Sequence, residues 1–327
     1  MDLSALTLNL LSPPILFFAL GMLATLVRSD LSVPPAVAKA LSIYLLVAIG
    51  FHGGYELRQS GLGGQVIATL GVAMASSALL PLLGFLVLRT RLKAEDAAGV
   101  AACYGSVSAV TFITAISFLE RSGVPFSGHL IAAMALMESP AIITGIVLAS
   151  LIRKPTDNGE RAPFEWRAVT HEALANGAIV LLLGSLLIGY LSGDAGWATM
   201  KPLVKDPFQA ILCLFLLDMG LVAARRLGDL RRSGAFLVGF ALLAPPIQAF
   251  LGILASKALA LSSGDALLLA VLFGSASYIA APAALRLALP KANPSLFVPM
   301  SLGLTFPFNI VVGIPLYASI IQWWWAA

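Results

Sequence analysis

Two runs in an otherwise apolar chain concentrate small and hydroxyl-bearing residues, YGSVSAVT at 104–111 and FGSASYIAAP at 273–282. Gly and Ser are poor helix formers and Pro282 has no amide to donate, so a helix that enters either run should stop there. A second helix starting just beyond would offer its first amides and the positive end of its dipole, and both attract an anion. Ser108, and Ser277 or the backbone of Ala281, stand at the capping positions of those second helices. The hydroxyls of Ser106, Thr111, Thr114 and Ser275, together with unwound carbonyls, are hard oxygen donors suited to a small cation beside the anion. Small residues also let helices pack closely, and it is the matching of the two runs that favours binding.

Glu138, in MESPA (137–141), and Asp218, in LLDMG (216–220), are the acids that fall well inside apolar stretches. An ionisable group there is costly and is a functional candidate. Glu138 lies just before Pro140, another helix disruption, and is read as a cation ligand or proton carrier. Asp218 is within one or two turns of Arg225 and Arg226 and is read as one side of a snorkelled structural pair. Thr305 and Asn309, in TFPFN (305–309), offer neutral oxygens that either bind a cation or bridge helices. His52, in GFHGGYE, is read as an interfacial histidine. No catalytic triad, carboxylate pair or transition-metal cluster emerges, so neither an enzyme nor a cofactor is expected.

The elements that position these groups follow from composition. Of 327 residues 59% are apolar and 11% are charged, with a mean hydropathy of +0.94. Soluble domains carry roughly 25% charged residues, so a soluble enzyme and a nucleic-acid binder are excluded and the lipid bilayer is the expected surrounding. Ten stretches reach the length that crosses about 30 Å of hydrocarbon. They are 12–27, 36–55, 65–88, 97–119, 129–152, 174–192, 207–224, 233–256, 265–286 and 295–323. The first carries Pro13-Pro14 and no signal-peptide cleavage pattern, and the last ends in Trp323-Trp324-Trp325, an interfacial anchor. Alternate loops split Lys and Arg 15 to 5, which puts both termini outside and an even number of spans between them.

The chain also matches itself. At an offset of 169, DAAGVAACYGSVSAV (96–110) pairs with DALLLAVLFGSASYI (265–279), with six of fifteen positions identical. Near the same offset Gly145-Ile146 and Leu148 match Gly313-Ile314 and Leu316, and Gly50 matches Gly220. Five spans per unit force the second unit to enter the membrane inverted, which is the build of secondary transporters. The expected organisation is therefore an all-α membrane protein of ten transmembrane helices in a 5+5 inverted repeat, with spans four and nine broken. Residues 1–152 form one repeat, 153–173 a cytoplasmic linker, and 174–327 the other.

At IGFHGGYELRQS (49–60), YGSVSAVTFITA (104–115), MESPAIITGIVLA (137–149), MGLVAARRLGDLRR (219–232) and APAALRLALPKANPS (281–295) the sequence resembles the sodium-dependent bicarbonate permeases. The resemblance implies a symporter of the bacterial inner membrane, a homotrimer whose core domain (spans 3–5 and 8–10) moves like an elevator against a gate domain (spans 1, 2, 6 and 7). It implies bicarbonate and Na+ bound around the two broken helices, and a PII-like soluble regulator on the cytoplasmic face. Carried over by position, it implicates Gly105, Ser106, Ser108 and Thr111, and Ser275, Ser277, Tyr278, Ala280 and Ala281. Such permeases carry aspartate at the positions of Tyr278 and Glu138 and glycine at that of Ala281. Proton-coupled movement of another small organic anion through Glu138, and a membrane sensor that binds an anion without moving it, remain as alternative functions.

Overall fold

A computed structural model describes residues 10–61, 63–152, 177–227, 234–289 and 291–326. Among the described residues all regular structure is helical, and eight stretches are long and apolar enough to cross a membrane. The order is α1 (Pro13–Leu26), α2 (Pro35–Ser60), α3 (Gly64–Leu88), α4 (Ala94–Gly105), α5 (Ala109–Arg121), α6 (His129–Ile152) and α7 (Gly177–Val204). It continues with α8 (Phe208–Leu227), α9 (Gly234–Ala258), α10 (Ser263–Phe273) and α11 (Ala280–Ala288). The closing stretch Pro294–Ala326 is helical throughout, with α12 (Pro294–Val298), α13 (Phe306–Phe308) and α14 (Ile314–Ala326) separated by π-helical turns at Pro299–Thr305 and Asn309–Gly313. The stretch Ala94–Arg121 joins α4 and α5, while α1 and α10 are shorter apolar helices. The linker 153–173 and the basic residues Arg231 and Arg232 lie outside the described residues.

Helix boundaries follow local chemistry. Prolines occupy the first turns of α1, α2 and α12, where the missing amide would have had no partner. Helix α7 runs twelve residues past the predicted end at 192, because Gly193, at φ 56° and ψ −148°, joins two helices through a kink. The second piece folds back on the end of α2. Asp194 accepts hydrogen bonds from Tyr55 (3.1 Å) and Gln59 (2.9 Å), and Trp197 stacks on Tyr55 and His52. His52 also lies 3.5 Å from Glu56.

Two helix pairs form one side of the molecule, α1 along α8 and α2 along α7, and glycine lets each pair close. A Cβ on Gly54 would stand 1.9 Å from the Leu186 carbonyl oxygen, and one on Gly220 would stand 2.1 Å from that of Phe18. Lipid is as apolar as leucine, so such helices associate through close packing rather than through water exclusion, and a bare backbone is what permits the approach. On the other side α4 packs against α3 and α6, and α5 against α10, with α4 and α5 almost wholly buried. The terminal tryptophans divide their work. Trp325 donates to the Leu261 carbonyl (2.9 Å) and lies under Lys257, while Trp323 is 76% exposed.

Overpacking such a crossing costs about 1–3 kcal/mol or more. Gly54→Ala and Gly220→Ala should each lower the thermal unfolding midpoint of the purified protein in detergent by several degrees. Gly184→Ala, where an added Cβ meets nothing, should leave the midpoint unchanged or raise it slightly.

Candidate functional site

At its last residue, Gly105, helix α4 presses on a proline. A Cβ at Gly105 would lie 2.2 Å from Pro81 Cγ of α3, and a Cβ at Gly274 would lie 2.6 Å from the Pro245 carbonyl oxygen of α9. Beyond each glycine the chain leaves helical geometry, with Ser106 extended at φ −85° and ψ 174°. It returns at Ala109 and at Ala280. Ser108 caps α5, its Oγ accepting from the Thr111 amide (3.2 Å) and the Thr111 hydroxyl (2.9 Å). Ser277 Oγ accepts from the Ala281 amide (3.1 Å) at the start of α11.

The two non-helical segments satisfy one another. The Ser108 amide donates to Ser275 Oγ at 3.0 Å, and the Ser277 amide donates to the Cys103 carbonyl at 2.8 Å. Ser275 in turn donates to the Leu272 carbonyl (3.2 Å), so its oxygen is occupied on both counts. Two aspartates that the self-alignment pairs play matching parts at the outer ends. Asp96 accepts from the Asn293 amide (2.8 Å) beyond α11, and Asp265 from the Ser127 amide (2.6 Å) and hydroxyl (2.9 Å) beyond α5.

A cavity of about 70 Å³ opens where the starts of α5 and α11 meet α2, α6 and α8. Its polar lining is Ser42, Ser108, Glu138, Ser277 and Tyr278, and Ala109, Val110 and Ala280 place first-turn backbone on its wall. By position those first-turn amides have no partner within their own helices. Ser108 Oγ has both lone pairs engaged and its hydroxyl hydrogen-bonds that of Tyr278, while Ser277 Oγ has one lone pair engaged. Glu138 is 8% exposed, and its Oε2 has no hydrogen-bond partner. The Ser77 hydroxyl holds the Met137 carbonyl one residue before it. The Tyr278 ring packs 5.5 Å from that of Phe306, with its hydroxyl turned toward Met219 Sδ.

Of the residues singled out in the sequence, Ser108, Ser277, Tyr278, Ala280 and Glu138 line this cavity. Gly105, Ser106, Thr111, Thr114, Ser275, Ala281, Thr305 and Asn309 do not, and most are engaged elsewhere. Thr114 donates to the Val110 carbonyl (2.8 Å) within its own helix. Thr305 donates to the Ala241 carbonyl (2.8 Å), which Pro245, four residues on, leaves without a helical donor. With that proton spent, Thr305 accepts from the Tyr104 hydroxyl at 2.7 Å. Asn309 opens the second π-helical turn; its Nδ2 donates to the Gly274 carbonyl (2.8 Å) and its Oδ1 accepts from Tyr317 (3.0 Å). Ser106 differs from these, its Oγ being buried with no partner. Sequence reasoning missed Ser42 of α2, a single serine in an ordinary apolar helix with nothing in its neighbours to mark it.

An all-helical set of described residues with eight stretches apolar and long enough to span defines a multi-pass membrane protein, and the starts of α5 and α11 line one cavity within it. Residues 13–322 match the family model of the Na+-dependent bicarbonate transporter superfamily, and the chain belongs to that superfamily. Comparison with curated proteins gives no significant match.

Asn309 closes the Gly274 carbonyl, so its loss strands a buried acceptor at a cost of about 1–3 kcal/mol. Asn309→Leu should therefore lower the thermal midpoint clearly more than Tyr317→Phe, which removes only the donor to Asn309 Oδ1. Equal midpoints would show that the Gly274 carbonyl does not need this donor.

Proposed function

We propose that this chain is a secondary transporter that imports bicarbonate or a similar small anion by alternating access, with sodium as the coupling ion. The observation that carries the reading is the convergence of Ser108, Ser277 and the first turns of α5 and α11 on one cavity that also holds the unpartnered carboxylate of Glu138. The donors suit an anion, and hydroxyls backed by helix dipoles hold it without a fixed positive charge. The carboxylate requires a counter-charge when ionised, and a co-transported cation supplies it. Glu138 Oε2 and Ser106 Oγ are buried oxygens without partners and are the first candidates for that cation, ahead of Thr114, Thr305 and Asn309.

Proton coupling is the second reading, and a specific feature favours it. Among the described residues Glu138 is the one ionisable carboxyl on the cavity wall, and Tyr278 stands where the resemblance to sodium-dependent permeases leads one to expect an acid. A lone carboxyl can take up the proton itself and cross the membrane neutral.

The architecture that would serve either coupling is ten spans in a 5+5 inverted repeat, residues 1–152 and 174–327 about the linker 153–173, with spans four and nine broken. The matched contacts of Asp96 and Asp265, and the reciprocal pairing of the two non-helical segments, support it. Residues of α2, α7 and α8 line the cavity together with residues of α5, α6 and α11, which supports a core that moves against a gate. The distribution of Lys and Arg supports termini on the outer side of a bacterial inner membrane. A homotrimer and a PII-like regulator are the partners the family suggests.

Labelled bicarbonate uptake into proteoliposomes, with sodium and proton gradients imposed in separate runs, tests both couplings, and counterflow of label separates a transporter from an anion-binding sensor. Ser108→Leu and Ser277→Leu should abolish uptake without lowering the yield of folded protein, because the side chain fills the space before the helix starts. Uptake at the parent's rate by either would mean that these serines only pack.

For coupling, Glu138→Gln should retain anion binding and lose accumulation under whichever gradient drives the parent, because the amide keeps an oxygen and removes the charge. Accumulation by this variant equal to the parent's would make Glu138 structural.

A further inference from the structure

The cavity wall is unbalanced in its hydrogen-bonding capacity. Ser277 has a lone pair committed to the Ala281 amide, Ser108 is held between Thr111 and Tyr278, and the first-turn amides are donors by nature. Tyr278 and Ser42 add hydroxyls. No Lys, Arg or His lines the cavity among the described residues. Against this set stands one strong acceptor, Glu138, 92% removed from solvent by its 8% exposure, with Oε2 bonded to nothing. The carboxylate is not the anion that the helix starts hold, since no donor from α5 or α11 reaches Oε2.

A ligand that only accepts would satisfy the donors and leave the Glu138 carboxylate facing a lone pair, with both oxygens desolvated. A ligand that accepts at two oxygens and donates from a third would satisfy the whole wall. We propose that the Glu138 carboxylate accepts the hydroxyl proton of the bound anion and so selects hydrogen-bearing oxyanions, bicarbonate above all, over acceptor-only oxyanions of the same charge. The assignment rests on the reading of this cavity as the transport site. It leaves the buried Oε2 for the coupling cation, whose positive charge offsets one of the two negative ones in the cavity.

Nitrate is the decisive probe, because it matches bicarbonate in charge, planarity and nearly in size but has no proton to give. Sites built around a hydrogen bond to the ligand reject an analogue that lacks the group by up to about 10⁴-fold, and a discrimination of at least about a hundredfold is expected here. The experiment measures binding of sodium bicarbonate and of sodium nitrate to the purified full-length protein by ligand-induced thermal shift, at constant sodium. Nitrate competition against labelled bicarbonate uptake is measured in parallel in proteoliposomes. Wild type should respond to bicarbonate and require at least a hundredfold more nitrate for the same shift. Glu138→Gln can turn its amide nitrogen to the ligand, so nitrate should gain and the ratio should fall below about tenfold. Glu138→Asp keeps an acceptor and should keep the preference with weaker binding, which guards against a glutamine variant that fails to fold. Equal binding of nitrate and bicarbonate by wild type overturns the proposal while bicarbonate uptake leaves the transport reading intact. An unchanged ratio in folded Glu138→Gln overturns it too, and absence of any bicarbonate response overturns both.

Discussion

A chain can leave helical geometry inside an apolar interior only if the amides and carbonyls it frees find partners there. At Ser106–Ser108 and in the segment from Gly274 to Ile279 they find them in one another. The Ser108 amide goes to Ser275 Oγ and the Ser277 amide to the Cys103 carbonyl, so each interruption completes the hydrogen bonding of the other. Neither segment could unwind alone without stranding groups that cost about 1–3 kcal/mol apiece. The rest of the site depends on this exchange, because it is what brings the starts of α5 and α11 to the same cavity.

The surrounding helices are arranged to protect that exchange. Proline in α3 and in α9 meets glycine at the ends of α4 and α10, and these contacts fix how closely the non-helical segments are pressed together. The same prolines unsettle the helices that carry them, and the disturbance is passed on. Thr305 supplies the donor that Pro245 withholds from Ala241, Tyr104 supplies one to Thr305, and Asn309 closes the carbonyl of Gly274. Two of those donors, Thr305 and Asn309, lie in π-helical turns, whose wider winding shifts side chains out of α-helical register. Hydroxyl and amide groups that a sequence offers as cation ligands are thereby used to keep the backbone satisfied.

This division explains what was legible in the sequence. Membrane residence follows from composition, since so few charges cannot cover the surface of a soluble fold. The Gly-Ser-x-Ser runs are where α4 and α10 stop, because helix-poor residues in an apolar context leave few other reasons for their presence. Membership of the bicarbonate transporter superfamily followed from segments spread along the chain. Hydrogen-bond partners were not legible, because they depend on which helix approaches which. Nothing in the sequence distinguishes Ser108, which lines the cavity, from Ser275, which does not and whose proton is spent on Leu272. The continuation of α7 past Gly193 was hidden for a related reason: a polar tail that settles on α2 resembles a loop until Tyr55, Gln59 and Trp197 are seen together.

The absence of Lys, Arg and His from the described cavity wall has a consequence for transport itself. A guanidinium or ammonium would hold a small anion strongly, and a carrier must release its cargo as readily as it binds it. Hydroxyls and first-turn amides carry only partial charges, and their pull on an anion is tempered by Glu138 on the same wall. Occupancy of the anion position then depends on what neutralises that carboxylate. With the carboxylate bare, an arriving anion meets a like charge in a medium that screens little; with a cation or proton in place, the donors prevail. On the proposed reading, coupling of this kind needs no long-range conformational signal between the two ligands, because both would share a cavity of about 70 Å³.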